Sequence, residues 1–73
     1  FGDWVVDVAS SGNLVVLRTP PGSAHVVASA LDRSNLDEVL GTVAGDDTLM
    51  VVVGESTTGT AVADRLRDLA GLA

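Results

Sequence analysis

A pair of adjacent carboxylates at a glycine-marked turn is the feature that most constrains this chain. Gly45-Asp46-Asp47 separates two apolar runs, residues 36–44 and 48–53, and the second run is rich in β-branched side chains. Gly and Asp are common turn formers, and Gly41 weakens the first run as a strand. The sequence therefore predicts two antiparallel strands joined at this turn.

The first quarter of the chain has the pattern of a second hairpin. Residues 4–9 and 14–19 are rich in Val and Leu, and Ser10-Ser11-Gly12-Asn13 between them is a turn signal. Pro20-Pro21-Gly22-Ser23 ends the second strand, and Pro is tolerated in the first turn of a helix. We therefore expect a helix to begin close to these prolines.

Helical spacing of apolar residues predicts the inner face of this first helix. That face comprises Ala24, Val27, Ala28 and Leu31. His25, Ser29 and Asp32 fall on an adjoining face, and Arg33-Ser34-Asn35 ends the helix. Positions seven apart differ by only about 20° around the helix axis, so His25 and Asp32 are aligned about 10 Å apart.

A second helix is predicted after residues 54–59, a loop whose hydroxyl side chains are suitable N-caps. Its predicted inner residues are Val62, Leu66, Leu69 and Ala70, and its predicted outer residues are Asp64, Arg65, Arg67 and Asp68. The element order is ββαββα. We expect one α+β domain over residues 1–73, a two-layer sandwich of a four-stranded antiparallel sheet with two helices on one face.

Composition narrows the possible functions. The 73 residues include no Cys, so neither a disulfide nor a thiolate metal site supports the fold. A net charge of −6 argues against direct contact with nucleic acid and suits a cationic ligand. No run approaches the roughly 18 apolar residues of a membrane span. Because 47% of the chain is apolar, we expect part of the sheet to be covered by self-association.

The carboxylate pair has a plain explanation and a functional one. Asp-rich glycine turns are common in hairpins, so the turn alone favours the plain explanation. The functional alternative is a guanidinium or ammonium site, since a carboxylate accepts two parallel N–H bonds from a guanidinium. A catalytic triad of Ser23 or Ser56 with His25 and Asp32 matches no nucleophile motif.

Cation and phosphate sites are poorly supported by the sequence. The acidic residues lack EF-hand spacing for Mg²⁺ or Ca²⁺, and a single His makes a transition-metal site unfavourable. Residues 54–59 lack the Lys of a phosphate loop. We expect no metal, no cofactor and no enzyme activity.

Three ordered blocks of sequence resemble one family. Gly41-Thr42-Val43-Ala44-Gly45-Asp46-Asp47-Thr48 resembles the hallmark of the C-terminal domain of bacterial arginine repressors. Pro21-Gly22-Ser23-Ala24-His25 and Ala30-Leu31-Asp32 resemble the first-helix segment of that family. The resemblance covers nearly the whole chain and implies the same ββαββα fold. It also implies that this domain binds L-arginine and assembles trimers that pair into hexamers.

The resemblance implies a role for each site residue. Asp46 would bind the guanidinium between two trimers, with Asp47 beside it. Asp32 and His25 would contact the amino-acid end. Thr42 and Ala44 would line the site, Ala44 through its backbone. His25 stands where family members often carry Gln, and an imidazole can gain a charge that an amide cannot.

The resemblance also implies a cellular role. A cytoplasmic repressor of arginine biosynthesis genes would bind operator DNA through a winged helix-turn-helix domain N-terminal to this one. The chain opens at Phe1-Gly2-Asp3-Trp4 without a Met, which is the pattern expected of an excised fragment. The alternative is a plain oligomerisation module without a small-molecule ligand.

Overall fold

The computed structural model describes residues 4–72, so Phe1, Gly2, Asp3 and Ala73 lie outside the described residues. The element order is ββαββα, as predicted. The elements are β1 Asp7–Ser11, β2 Leu14–Arg18, α1 Ala24–Arg33, β3 Val39–Ala44, β4 Thr48–Val53 and α2 Gly59–Ala70.

The four strands form one antiparallel sheet in the order β1-β2-β4-β3. Helix α1 packs on β3 and β4, while α2 packs mainly on β1 and β2. The inward side chains of both helices join one hydrophobic core with the inward residues of the strands. The predicted two-layer α+β sandwich is therefore confirmed. Neither helix within residues 4–72 is long and apolar enough to cross a membrane.

The inner face of α1 is the predicted one, and that of α2 differs at one residue. All four predicted inward residues of α1 are buried. In α2 the prediction for Leu69 is wrong, because its side chain is 60% exposed. The buried stripe of α2 is formed by Gly59, Val62, Ala63, Leu66 and Ala70. With 100° of rotation per residue, the centre of this buried stripe lies close to Ala63 and Leu66. Leu69 therefore lies at the edge of the stripe.

Arg67 was predicted to face outward but is half-buried. Its guanidinium donates to the Val8 carbonyl oxygen at 2.8 Å and to Asp64 Oδ1 at 2.9 Å. Its long aliphatic stem allows Arg67 to cover apolar surface while the guanidinium finds oxygen partners.

Two strands begin later than predicted. Strand β1 runs from Asp7 through Ser11, which pairs with Leu14, so the turn is only Gly12-Asn13. Gly12 has φ 57°, a left-handed conformation that glycine adopts without steric cost. Strand β3 begins at Val39 instead of residue 36 because the preceding residues form a turn, closed by a bond of 3.0 Å from Val39 N–H to Leu36 O.

A β-bulge in β3 sets which of its side chains face α1. Val39 pairs with Val53, whereas Gly41 pairs with the next residue of β4, Val52, so Leu40 is the extra residue. Without the bulge, Val39 and Thr42, three positions apart, would point to opposite faces of the sheet. The bulge places Thr42 on the helix side, opposite the buried Val51.

The other side of the sheet carries an apolar surface that we call the open face. One cross-strand row on it joins Ala9, Val16, Met50 and Val43, as set by the strand register. A second row adds Leu14 and Val52. Val43 is 62% exposed and Met50 is 37% exposed. The helices leave this face uncovered within residues 4–72.

Candidate functional site

The main chain of the carboxylate turn is held by two other elements. Ala24 N–H, at the start of α1, donates to the Asp46 carbonyl at 3.1 Å. Thr19 N–H, just after β2, donates to the Asp47 carbonyl at 2.7 Å. Gly45 N–H closes the turn itself on Thr48 O at 2.8 Å. The two carboxylates therefore project from a backbone that is fixed before any ligand arrives.

The side chains of the two aspartates differ in their partners. Asp47 Oδ1 accepts a hydrogen bond from Thr48 Oγ1 at 3.0 Å, and Asp47 Oδ2 lies 3.9 Å from Arg18 Nη2. Asp46 is exposed, and its carboxylate has no hydrogen bond or ion pair to any side chain among residues 4–72. Asp46 is therefore the free acceptor of the pair.

Asp32 lies at the other end of α1 and meets β3. Thr42 Oγ1 donates to Asp32 Oδ1 at 3.3 Å, which connects the third turn of α1 to the helix side of β3. The side chain of Asp32 is exposed, and its second oxygen has no hydrogen-bond partner in the described part of the chain. This carboxylate can accept from a second donor.

His25 and Ala44 lie at the end of α1 that adjoins the turn. His25 is the exposed second residue of α1 and follows Ala24, which binds the Asp46 carbonyl. Ala44 is the last residue of β3 and is partly buried against the core. His25 makes no side-chain hydrogen bond within residues 4–72.

All six predicted residues lie on α1, on the edge strand β3 or in the turn after β3, although the Asp47 carboxylate lies 3.9 Å from Arg18 at the end of β2. Contacts at both ends show that the two elements run in opposite directions, since Ala24 meets Asp46 and Asp32 meets Thr42. From Thr42 to Ala44 the strand rises about 7 Å, and the turn that holds Asp46 follows. We call this edge the α1–β3 strip. It comprises His25, Asp32, Thr42, Ala44, Asp46 and Asp47.

The strip is acidic at both ends. Asp32 marks one end and the Asp46-Asp47 pair marks the other. An elongated ligand with a cationic group at each end matches this spacing of carboxylates. In the described range 4–72, no three His, Asp or Glu side chains come together as a metal-binding group.

The sequence did not indicate a cleft that adjoins the Asp32 end of the strip. The cleft has a volume of about 190 Å³ and lies between the end of α1 and the start of β3. Its lining residues are Leu31, Asp32, Asn35, Leu36, Val39, Leu40 and Gly41. In the sequence, Asn35 was interpreted only as a helix terminator and Gly41 only as a weak strand residue. Neither interpretation predicted a cavity.

Comparison with known proteins identifies the family of the chain. A family model described as "Arginine repressor, C-terminal domain" matches residues 1–68. The chain belongs to this family. The match includes both elements of the α1–β3 strip and the whole sheet, so the strip is part of the family's common domain.

A curated relative supports membership of the arginine repressor C-terminal domain family. The chain is 48% identical over 69 residues to a protein named "Arginine repressor" from Moorella thermoacetica. The aligned part covers 94% of this chain and 46% of that relative. The chain therefore spans about half the length of the curated relative that it matches.

Proposed function

We propose that this domain senses L-arginine and assembles an arginine-dependent repressor of arginine biosynthesis genes. The observation that carries the proposal is the α1–β3 strip, whose free Asp46 carboxylate and distant Asp32 carboxylate lie along one edge. The family membership of the chain agrees with this ligand.

The chemistry of arginine accounts for the two ends of the strip. A guanidinium is planar and donates two parallel N–H bonds to one carboxylate, so Asp46 would bind it in a bidentate manner. Asp47 would lie beside it, with its own carboxylate shared with Arg18. At the other end, Asp32 would contact the amino-acid group. The resemblance gives His25 the same contact, but His25 lies beside the turn, about 10 Å along α1 from Asp32. Thr42 and Ala44 would line the space between.

One subunit leaves this site open to water. His25, Asp32 and Asp46 are all exposed, whereas small-molecule sites bury most of the ligand surface. A second copy of the domain over the strip would exclude water and strengthen the carboxylate–guanidinium attraction. This supports a site at the interface between two trimers.

The open face supports the trimer itself. Its rows of Val, Leu and Met side chains are exposed in the single subunit, which favours a contact between copies. Arginine bound between trimers would favour the hexamer, because a ligand shifts an equilibrium toward the state it binds better. Hexamer and ligand would then stabilise each other reciprocally.

DNA binding would belong to another part of the repressor. The net charge of −6 makes this domain a poor partner for phosphates. A winged helix-turn-helix domain joined to each subunit would contact the operator. The hexamer would raise the effective concentration of these domains at one operator. Such a repressor acts in the cytoplasm, where the bacterial chromosome lies.

An arginine titration followed by sedimentation tests the function. We expect trimers at low protein concentration without ligand, and hexamers when L-arginine is added. A plain oligomerisation module would show no change in assembly or melting temperature with arginine. An enzyme would consume it. Monomers in both conditions would contradict the proposed assembly.

The open face gives a separate prediction about trimers. Val43→Lys places a charge at the β3 end of the apolar row, and we expect it to shift ligand-free trimers to monomers in sedimentation. The matched control is Leu69→Lys on α2, because Leu69 is 60% exposed and Val43 is 62% exposed. Equal assembly of both variants would contradict a trimer contact through this face.

A further inference from the structure

The cleft at the end of α1 continues the α1–β3 strip beyond Asp32. Its volume of about 190 Å³ is lined on one side by Leu31, Leu36 and Val39 and holds two polar side chains, Asp32 and Asn35. Small-molecule pockets have volumes of about 300–1,000 Å³, so this cleft is smaller than a site for a whole ligand of that kind. It suits the small amino-acid end of a ligand and not a whole arginine.

The charges around the cleft fix how an amino-acid group would sit there. The carbonyl end of α1 carries partial negative charge, which favours a cation. Asp32 adds a full negative charge, and Thr42 occupies only one of its two oxygens. An α-ammonium is therefore favoured beside Asp32. The α-carboxylate of the same ligand then needs a donor on the remaining wall.

Asn35 is the side chain that can supply this donor. It lines the cleft, and its amide makes no hydrogen bond to residues 4–72. A carboxamide NH₂ carries two donors, whereas the Asp32 carboxylate, which also lines the cleft, carries none. Gly41 lines the β3 side of the cleft without a side chain of its own.

We propose that Asn35 determines specificity for an amino acid by donating from its side-chain amide to the α-carboxylate of the bound ligand. This inference rests on the proposed arginine-binding function and adds a residue to the site. The backbone conformation at position 35 does not itself require an Asn side chain. Asn35 has φ 50° after the end of α1, a left-handed position that Gly fills equally well.

Because this position tolerates Gly, a substitution can remove the side-chain amide and keep the backbone conformation. Asn35→Gly removes the amide without straining the backbone. We expect it to lower the affinity for L-arginine about three- to tenfold in calorimetry, as for the loss of one hydrogen bond to an exposed charged group. Agmatine, which lacks the carboxylate, should bind wild type and Asn35→Gly equally.

Asn35→Asp is the second variant, since Asp also tolerates the left-handed conformation. Its carboxylate would repel that of arginine, so we expect a larger loss of arginine affinity and no loss of agmatine affinity. Melting curves of the free proteins check that both variants fold.

The outcomes separate this inference from the proposed function. If wild type binds arginine and both variants keep the same affinity for it, the role of Asn35 is refuted and the function stands. A parallel loss of arginine and agmatine affinity would also refute it, because the amide would then not act on the carboxylate. If wild type binds no arginine, both proposals fail together.

Discussion

Asp46→Asn should lower the affinity for L-arginine at least about thirtyfold. The arginine-induced hexamer should be lost with it. Loss of one partner from a close charge pair costs about 2–5 kcal/mol, which corresponds to a thirtyfold or greater change in Kd. Asn keeps the size of the side chain but offers one acceptor oxygen and no charge to the guanidinium. Calorimetry measures the affinity and sedimentation the assembly.

The control for Asp46→Asn is the same chemical change on the other helix. Asp68 is exposed on α2, away from the α1–β3 strip. Asp68→Asn removes an equal amount of charge, so it corrects for the general attraction of an acidic domain for a cation. Arginine affinity that falls equally in both variants, or in neither, would exclude Asp46 as the guanidinium ligand.

Residue spacing placed Asp46 and Asp47 together but did not distinguish them, and only the family resemblance assigned the guanidinium to Asp46. Their difference depends on Arg18, which lies 29 positions before Asp47 in the chain and reaches it only because β2 pairs with β4. Thr48 is a neighbour in sequence, yet its hydroxyl bond to Asp47 depends on a rotamer. Local sequence pattern carries no information on either contact, so the free carboxylate could be recognised only in three dimensions.

Local pattern was sufficient where one physical rule decided the structure. Strand β4 has the predicted bounds because a β-branched run follows a glycine turn. The last loop supplies a hydroxyl N-cap as expected, with Thr58 Oγ1 accepting from Ala61 N–H at 3.1 Å. The helix spacing of α1 was also sufficient, since all its predicted inner residues are buried.

Tertiary pairing decided the parts that the sequence did not reveal. The bulge at Leu40 allows both Val39 and Thr42 to face α1 while β3 pairs with β4. The alternation of inward and outward side chains along β3 does not by itself predict this shift in register. The cleft forms where the bulged start of β3 meets the end of α1, so it was not predictable either.

Gly59→Ala should destabilise the domain by at least about 2 kcal/mol, a large share of the roughly 5–15 kcal/mol typical of a domain. Gly59 is the buried first residue of α2, and its N–H donates to the Gly12 carbonyl at 2.8 Å. A Cβ on Gly59 would lie 2.6 Å from Gly12 O and 2.7 Å from Leu14 O. Both are backbone atoms of the β1–β2 hairpin, so relief requires α2 to move away from the sheet.

Movement of α2 would affect more than one contact, because Asn13 in the same hairpin turn also binds the loop before α2. Its amide donates to the Gly54 carbonyl at 3.0 Å.

Urea denaturation at one fixed protein concentration measures the loss of stability in Gly59→Ala, since assembly adds to apparent stability. Gly54→Ala is the control, because its Cβ would meet Glu38 O at an ordinary 3.6 Å. We expect that control to change stability by less than about 1 kcal/mol. Equal stability of the two variants would show that the hairpin yields to α2 without cost, and that close packing at Gly59 does not hold the second helix on the sheet.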